Sequence, residues 1–336
     1  MRRATVSVIY EGADITTDIG SELLNLTYTD KSGAKGEADD LQIVISDRDR
    51  LWQDAWCPQR GHTMQVSILC TDWFEPGDSL ELPCGTFEVD EVEFEAGDTD
   101  RITIKGVPSA VKTSITGQKK TRAWNSVSLE NIAGDIAAEA GLSMQYHGDE
   151  IFLKRVEQRQ EPDLAFLHRI GGEHGCRVKV SSRNIVVYSG ARADDLEPIL
   201  LARGTTAGFR GKITTAEVYS SCVVTFFDAD SGKEIKYTYK PDNAPETGKV
   251  LTLNKRAENL EAAQRMARAA LRTKNAAQLS GKWDGMGDPR LRAGGTVEIE
   301  GYGKWDARYS IREASHTVSG DGGYSSRISL ESALEY

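Results

Sequence analysis

The sequence predicts a mainly β fold with an α+β insertion, in which two β-barrel-like domains flank a small α+β domain. Three observations predict it. Short segments that alternate or cluster β-branched and apolar residues fill residues 1–108 and return after 201. Helical spacing of three and four is concentrated in 109–200, apart from one helix near 259–274. Gly, Asp, Asn and Pro separate the segments, as turn chemistry requires. A chain of 336 residues also exceeds the usual size of one hydrophobic core. The expected division is a first barrel-like domain over 1–108, an α+β middle domain over 109–200, and a second barrel-like domain over 201–336.

In the first region, strands are expected at 5–10, 41–46, 64–70, 87–94 and 101–105. The run Phe87-Glu88-Val89-Asp90-Glu91-Val92-Glu93-Phe94 keeps a period of two except at Asp90-Glu91, which reads as a bulge. Gly97-Asp98-Thr99-Asp100 supplies the turn of a hairpin into the last of these strands.

In the middle region, Leu129, Ile132, Ala133, Ile136, Ala137 and Ala140 form one helical stripe, with Ser126 or Ser128 as the cap and Gly141 at the stop. A second helix starts after Pro162, where Asp163 is placed to accept from the first free amides. Its stripe is Leu164, Leu167 and Ile170, and Gly175 ends it. Two strands follow, at 176–180 and 185–188, joined by a polar turn. Further strands are expected at 212–218, 222–227, 234–239 and 250–253, with a turn over 228–232 and a loop over 241–245. The helix at 259–274 carries the stripe Leu260, Ala263, Met266, Ala267, Ala270 and Leu271, with Arg265, Arg268 and Arg272 outside it. Strands at 277–283, 295–299, 308–318 and 323–330 complete the region.

Composition narrows the function. A net charge of −10 lacks the basic footprint of a duplex-DNA or anionic-membrane binder, so no stable nucleic-acid binding is expected. No run approaches the roughly 18 apolar residues of a membrane span, so no membrane insertion is expected either. The opening residues lack the apolar core of a secretory signal. Cys57, Cys70, Cys84, Cys176 and Cys222 are odd in number, widely spaced and free of any Cys-x-x-Cys pair, which fits reduced, apolar packing residues.

Chemistry-bearing groupings are sparse. His168, Glu173 and His174 resemble a metal set most closely, but six residues between the histidines miss the i, i+4 spacing that puts two ligands on one helical face, so surface or capping histidines are expected. Gly171-Gly172 and Gly294-Gly295 lack the Gly-Lys-Ser/Thr ending of a phosphate loop and read as breaks. No serine sits in a Gly-x-Ser-x-Gly elbow. The acidic pairs Asp39-Asp40 and Asp194-Asp195 read as solvated loop residues. No catalytic, cofactor-binding or metal-ligating residue is assigned, and no cofactor is expected.

Two stretches carry a family resemblance. One runs from Val127 through the helix to Leu142, then Gln158-Arg159-Gln160-Glu161-Pro162-Asp163-Leu164-Ala165-Phe166-Leu167-His168-Arg169-Ile170 and Gly175-Cys176. The other is Gly285-Met286-Gly287-Asp288-Pro289-Arg290-Leu291-Arg292-Ala293-Gly294-Gly295-Thr296-Val297-Glu298-Ile299, followed by Tyr309 to Val318 and Gly323 to Leu330. In order and sequence they resemble the late control D family of contractile-tail baseplate hubs, related to the amino-terminal hub part of type VI secretion VgrG spike proteins. The resemblance implies a non-enzymatic virion protein of a phage tail or phage-derived injection particle, assembled in the host bacterial cytoplasm. It implies a homotrimer whose six barrels join a tail tube protein ring to a central spike protein, with other baseplate proteins around it. Only Glu331 to Tyr336 follow the last strand, so the needle is expected in another chain. An acidic lumen would let DNA pass without sticking.

Two other classes compete. A tail-associated peptidoglycan hydrolase or cell-wall-binding protein would need paired carboxylates or a nucleophile with its base, and neither can be assembled from the sequence. A carbohydrate-binding adhesin would need aromatic platforms beyond Trp52, Trp56 and Trp73, which also suit a barrel core or a subunit contact. Strand edges at 41–46 and 213–218 are the candidates for pairing between subunits, with burial inside one barrel as the alternative.

Overall fold

The computed structural model describes the chain except residues 1, 34–37, 110–113, 195, 205–206, 217, 229–231, 245–247, 322 and 335, and the side chains of 114, 192, 194, 228 and 256. Most of the expected turn at 228–232, Pro245 of the expected loop, Asp195 of the second acidic pair and residue 217 of the expected strand edge therefore lie outside the described residues.

The first region holds β1 (Arg3–Tyr10), β2 (Ala13–Asp14), α1 (Thr16–Glu22), β3 (Leu23–Lys31), β4 (Asp40–Ser46), β5 (Thr63–Thr71), β6 (Ser79–Glu95) and β7 (Arg101–Pro108). Inward residues such as Val8, Leu26, Ile43, Ile68, Phe87 and Ile104 build its core, each contributing on the order of 1.5–3 kcal/mol by leaving water. The register of β6 on β7 shifts between Val89 and Glu91, so Asp90 is the extra residue of the expected bulge. Strand β3 went unread because its inward face runs Leu26, Tyr28, Asp30, and an inward aspartate breaks the apolar pattern. Of the two readings of 41–46, burial within the β region holds and the free edge does not: β4 lies between β3 and β7, and its main chain is used on both sides.

The middle region holds α2 (Ser114–Gly117), β8 (Lys119–Ser128), α3 (Leu129–Glu139), β9 (Ser143–His147), β10 (Phe152–Pro162), α4 (Asp163–Glu173), β11 (Cys176–Ser181), β12 (Asn184–Ser189) and α5 (Gly190–Asp194). Ser128 caps α3, its hydroxyl accepting from the Asn131 amide at 3.1 Å, and Gly141 takes φ +67° just past the end. Asp163 does not cap α4. It is the first residue of that helix, fully buried, and ion-pairs with Lys120 at 2.7 Å and Arg122 at 2.6 Å across β8. Gly171-Gly172 do not break α4 but lie in its last turn, and the chain turns at Gly175, φ +80°.

The last region holds β13 (Ile199–Ala202), β14 (Gly208–Ile213), β15 (Tyr219–Asp228), β16 (Lys233–Tyr239), β17 (Lys249–Ala257), α6 (Leu260–Asn275), β18 (Leu279–Met286), β19 (Thr296–Glu300), β20 (Ala307–Ser319) and β21 (Tyr324–Ser332). Helix α6 packs on the β16-β15-β17 sheet through Ala263, Met266, Ala267 and Leu271 against Cys222, Val224 and Phe226. Leu260, expected in that stripe, is exposed: it is the first helical residue, beside the cap Asn259.

Both β regions meet in one sheet of order β14-β18-β21-β20-β3-β4-β7-β6-β5-β1-β2, with β19 and then β13 branching from β20. Strand β20 serves two cores. Its Tyr309, Ile311 and Ala314 fill the second β core, while Val318 at its far end enters the first. Phe87 packs edge-on to Tyr28 within the first core, so Phe87→Ala is expected to cost about 3–5 kcal/mol. Urea unfolding followed by tryptophan fluorescence measures it, since Trp52 and Trp73 report on that core.

Candidate functional site

The groupings singled out for chemistry are dispersed. His168 is half-buried rather than on the surface, and burial lowers its pKa to about 4. His174 stands at the C-cap of α4, its pKa lowered by burial and by Arg265. Glu173 pairs with Lys255 and, at 3.6 Å, with Arg169. Among the described residues no three His, Cys, Asp or Glu side chains are grouped to hold a metal ion, and no helix is long and apolar enough to cross a membrane. Cys70, Cys84, Cys176 and Cys222 are buried, while Cys57 is exposed. Two α6 arginines tie the helix down: Arg268 lies 5.4 Å from the Tyr239 ring centre and Arg272 donates to the Tyr336 main-chain oxygen at 2.9 Å, while Arg265 pairs within the helix with Glu261.

Polar side chains converge instead where the three regions meet. In β11 the residues Cys176, Val178 and Val180 face the middle core, so Arg177 and Lys179 share the opposite face. That face is covered. Lys179 ion-pairs with Asp30 at the end of β3 and lies 3.5 Å from Asp39, and Arg177 meets Glu331 of β21 at 2.8 Å. Asp39 also accepts from the Lys31 amide at 2.9 Å, and Asp30 from the Ala293 amide at 3.0 Å. The Tyr188 hydroxyl donates to the Ser32 carbonyl at 2.8 Å. Gly33, at φ +71°, sits so close to Val178 that a Cβ there would fall 2.0 Å from its carbonyl oxygen, so the approach requires glycine.

Electrostatics follow from this burial. Burial pushes the Asp39 carboxyl up to about 6, against the pull of Lys179. For Lys179, burial opposes the charge, but Asp30 and Asp39 outweigh it and raise the pKa. Asp39 is thus no solvated loop residue, contrary to the reading of Asp39-Asp40: it is 4% exposed.

A second polar junction joins the two β cores. His316 of β20 is fully buried and burial lowers its pKa, so the ring is neutral. Its Nε2 lies 2.9 Å from the Leu291 carbonyl, which can only accept, so Nε2 carries the proton. Nδ1 then accepts from the Tyr324 hydroxyl at 2.7 Å, and the Ser326 hydroxyl lies 3.0 Å from it. Trp73 of the first region donates to the Gly287 carbonyl at 2.7 Å and packs on Tyr324. Trp52 is also in the first core, whereas Trp56 is exposed. Neither junction was singled out in the sequence. The alternation of β11 marks a polar face, but periodicity alone does not tell a solvated face from one covered by carboxylates distant in sequence.

The order of β core, α+β unit and β core, locked at polar junctions, is the fold of phage-tail proteins. A Shewanella oneidensis prophage MuSo2 43 kDa tail protein superposes with a TM-score of 0.71 over 98% of both chains, at 14% identity. An Escherichia coli type VI secretion component, described as structurally similar to T4 tail proteins gp27 and gp5, gives a TM-score of 0.57 over 92% of this chain and 73% of that one, at 12% identity. In sequence, the chain is related to the probable baseplate hub proteins of Escherichia phages P2 and 186. Identity is 30% over 178 residues and 27% over 182 residues, or 52% and 54% of this chain. Those matches span 42% and 43% of the two relatives, less than half their length. No protein-family model matches the chain.

Replacing Lys179 by Met leaves two buried carboxylates without their cation, and is expected to cost about 3–5 kcal/mol at neutral pH. The sign of the pH dependence is fixed by Asp39. With its folded pKa raised from 3.8 to about 6, the folded state holds a proton that the unfolded chain has released, so its contribution to stability falls as pH rises through that window. Removing Lys179 takes away a pull that lowers the Asp39 pKa, so the variant depends more steeply on that proton than wild type, and chemical denaturation at pH 5 and pH 8 should show a smaller deficit for Lys179→Met at the lower pH.

Proposed function

We propose that the chain is the structural hub subunit of a contractile-tail baseplate, in a phage or a phage-derived injection particle. In this reading it is a homotrimer in the virion tail, assembled in the host bacterial cytoplasm, that adapts a hexameric tail tube protein ring to a trimeric central spike protein. Its units divide near residues 108 and 200, and other baseplate proteins surround it. The role is structural rather than enzymatic.

The observation that carries the proposal is the joining of two β cores edge to edge within one chain through β20 and β3. Three copies would then present six β cores around an axis, which is what a three-fold body needs to meet a six-fold ring. Similarity to probable baseplate hub proteins over about half of the chain supports the same reading.

Native mass spectrometry over a range of concentrations tests it, with a species at three times 36.9 kDa expected. A strict monomer that stays monomeric when tube and spike chains are added would overturn the proposal. The rival hydrolase reading predicts clearing of purified cell wall in a zymogram, and the hub reading predicts none.

A further inference from the structure

Several strand segments of the described structure have one main-chain edge without a strand partner, and two of them carry opposite charge. Beyond the bulge at Asp90, residues 91–95 of β6 pair only with β7, from Glu91 opposite Lys105 to Glu95 opposite Arg101; β5 leaves β6 at Glu88. At one end of the sheet path, β14 pairs only with β18, from Gly208 opposite Asp284 to Ile213 opposite Leu279.

The first edge is acidic. Between Arg60 and Arg101 the sequence holds eleven Asp and Glu and no Lys or Arg. Glu91, Glu93 and Glu95 project from one face of the free segment, and Phe94 is 48% exposed on the other. Lys105 is the cation that Glu91 and Glu93 meet, and Arg101 stands opposite Glu95. The second edge is basic. Arg210 and Lys212 are exposed on one face of β14, with Lys282 directly opposite Arg210 and Arg327 on the next strand, β21. None of these four cations has an ion pair among the described residues, although Asp284 lies in the same sheet face. Like charges directly across a ladder destabilise it, so Arg210 and Lys282 are left in need of counter-charge. Ile213, at the end of β14, is 51% exposed.

We propose that these two edges are the two halves of one interface between copies of this chain: the free edge of β6 in one copy adds to β14 of the next. The spacing fits. Glutamates at every second residue on one strand meet basic residues at every second residue on the other, while main-chain hydrogen bonds close both ladders. Charge also selects the geometry. Two β6 edges repel each other, as do two β14 edges, so a two-fold pairing is opposed and a head-to-tail pairing is favoured. A head-to-tail contact that closes makes a ring. The inference rests on the homotrimer proposed above and names the surface that would build it.

The test uses the full chain. Arg210→Glu with Lys212→Glu, and separately Glu91→Lys with Glu93→Lys, are each expected to weaken self-association by about tenfold or more, and all four changes in one chain to restore it. These side chains are exposed, and far-ultraviolet circular dichroism checks that each variant folds. Independently, Glu93→Cys with Lys212→Cys, in a background where exposed Cys57 is Ser, should give covalent trimers with a short bis-maleimide, while either cysteine alone should not. A trimer that ignores both reversals and does not cross-link would overturn the edge pairing and leave the hub reading standing. A wild-type chain monomeric at every concentration, alone and with tube and spike chains, would overturn both.

Discussion

Seven residue pairs, from Glu313 opposite Lys31 to Ser319 opposite Asn25, carry the pairing of β20 with β3, and through them two regions at opposite ends of the sequence share one sheet. The other contacts between the β regions sit around this ladder. His316 is within it, opposite Tyr28, and its ring stacks on the Tyr28 ring at 6.3 Å. Val318, two residues on, delivers an apolar side chain into the first core. A buried histidine with both nitrogens engaged is exacting in geometry, because an unmet hydrogen bond there costs about 1–3 kcal/mol. The junction therefore specifies one relative placement of the β cores rather than merely allowing contact.

The middle unit is fixed by a different kind of force. Its contact face is a strand whose outward residues are cationic, set on carboxylates that the β regions bury. Desolvating Lys179, Asp30 and Asp39 costs several kcal/mol per ion, and their attraction offsets this only because amides of Lys31 and Ala293 satisfy the remaining oxygens. Such a contact adds little net stability relative to an apolar one but tolerates little misalignment. Both junctions favour precision of placement.

Much of this was legible in the sequence. The alternation of β1, β5 and β7, the stripes of α3, α4 and α6, and the bulge at Asp90 follow from periods of two and three to four in the residues themselves. What stayed hidden shares a physical cause. Strands β8 and β10 form a two-stranded ribbon with mostly polar residues and few buried ones, so no apolar period marks them. Asp39, Asp163 and Lys179 are charged residues whose burial depends on partners distant in sequence, and local pattern assigns such residues to the surface. The resemblance to tail hubs rested on element order, which survived these omissions because the misread strands lie within regions whose class was already set.

The shared strand also changes how the molecule would bear load. If one β region is pushed along the strand direction while the other is held, the seven pairs between β3 and β20 are strained together in shear, rather than peeled one at a time as at the end of a hairpin. A ladder stressed in that direction yields only when many hydrogen bonds break at once, so a stroke delivered to one β region would reach the other with little slack.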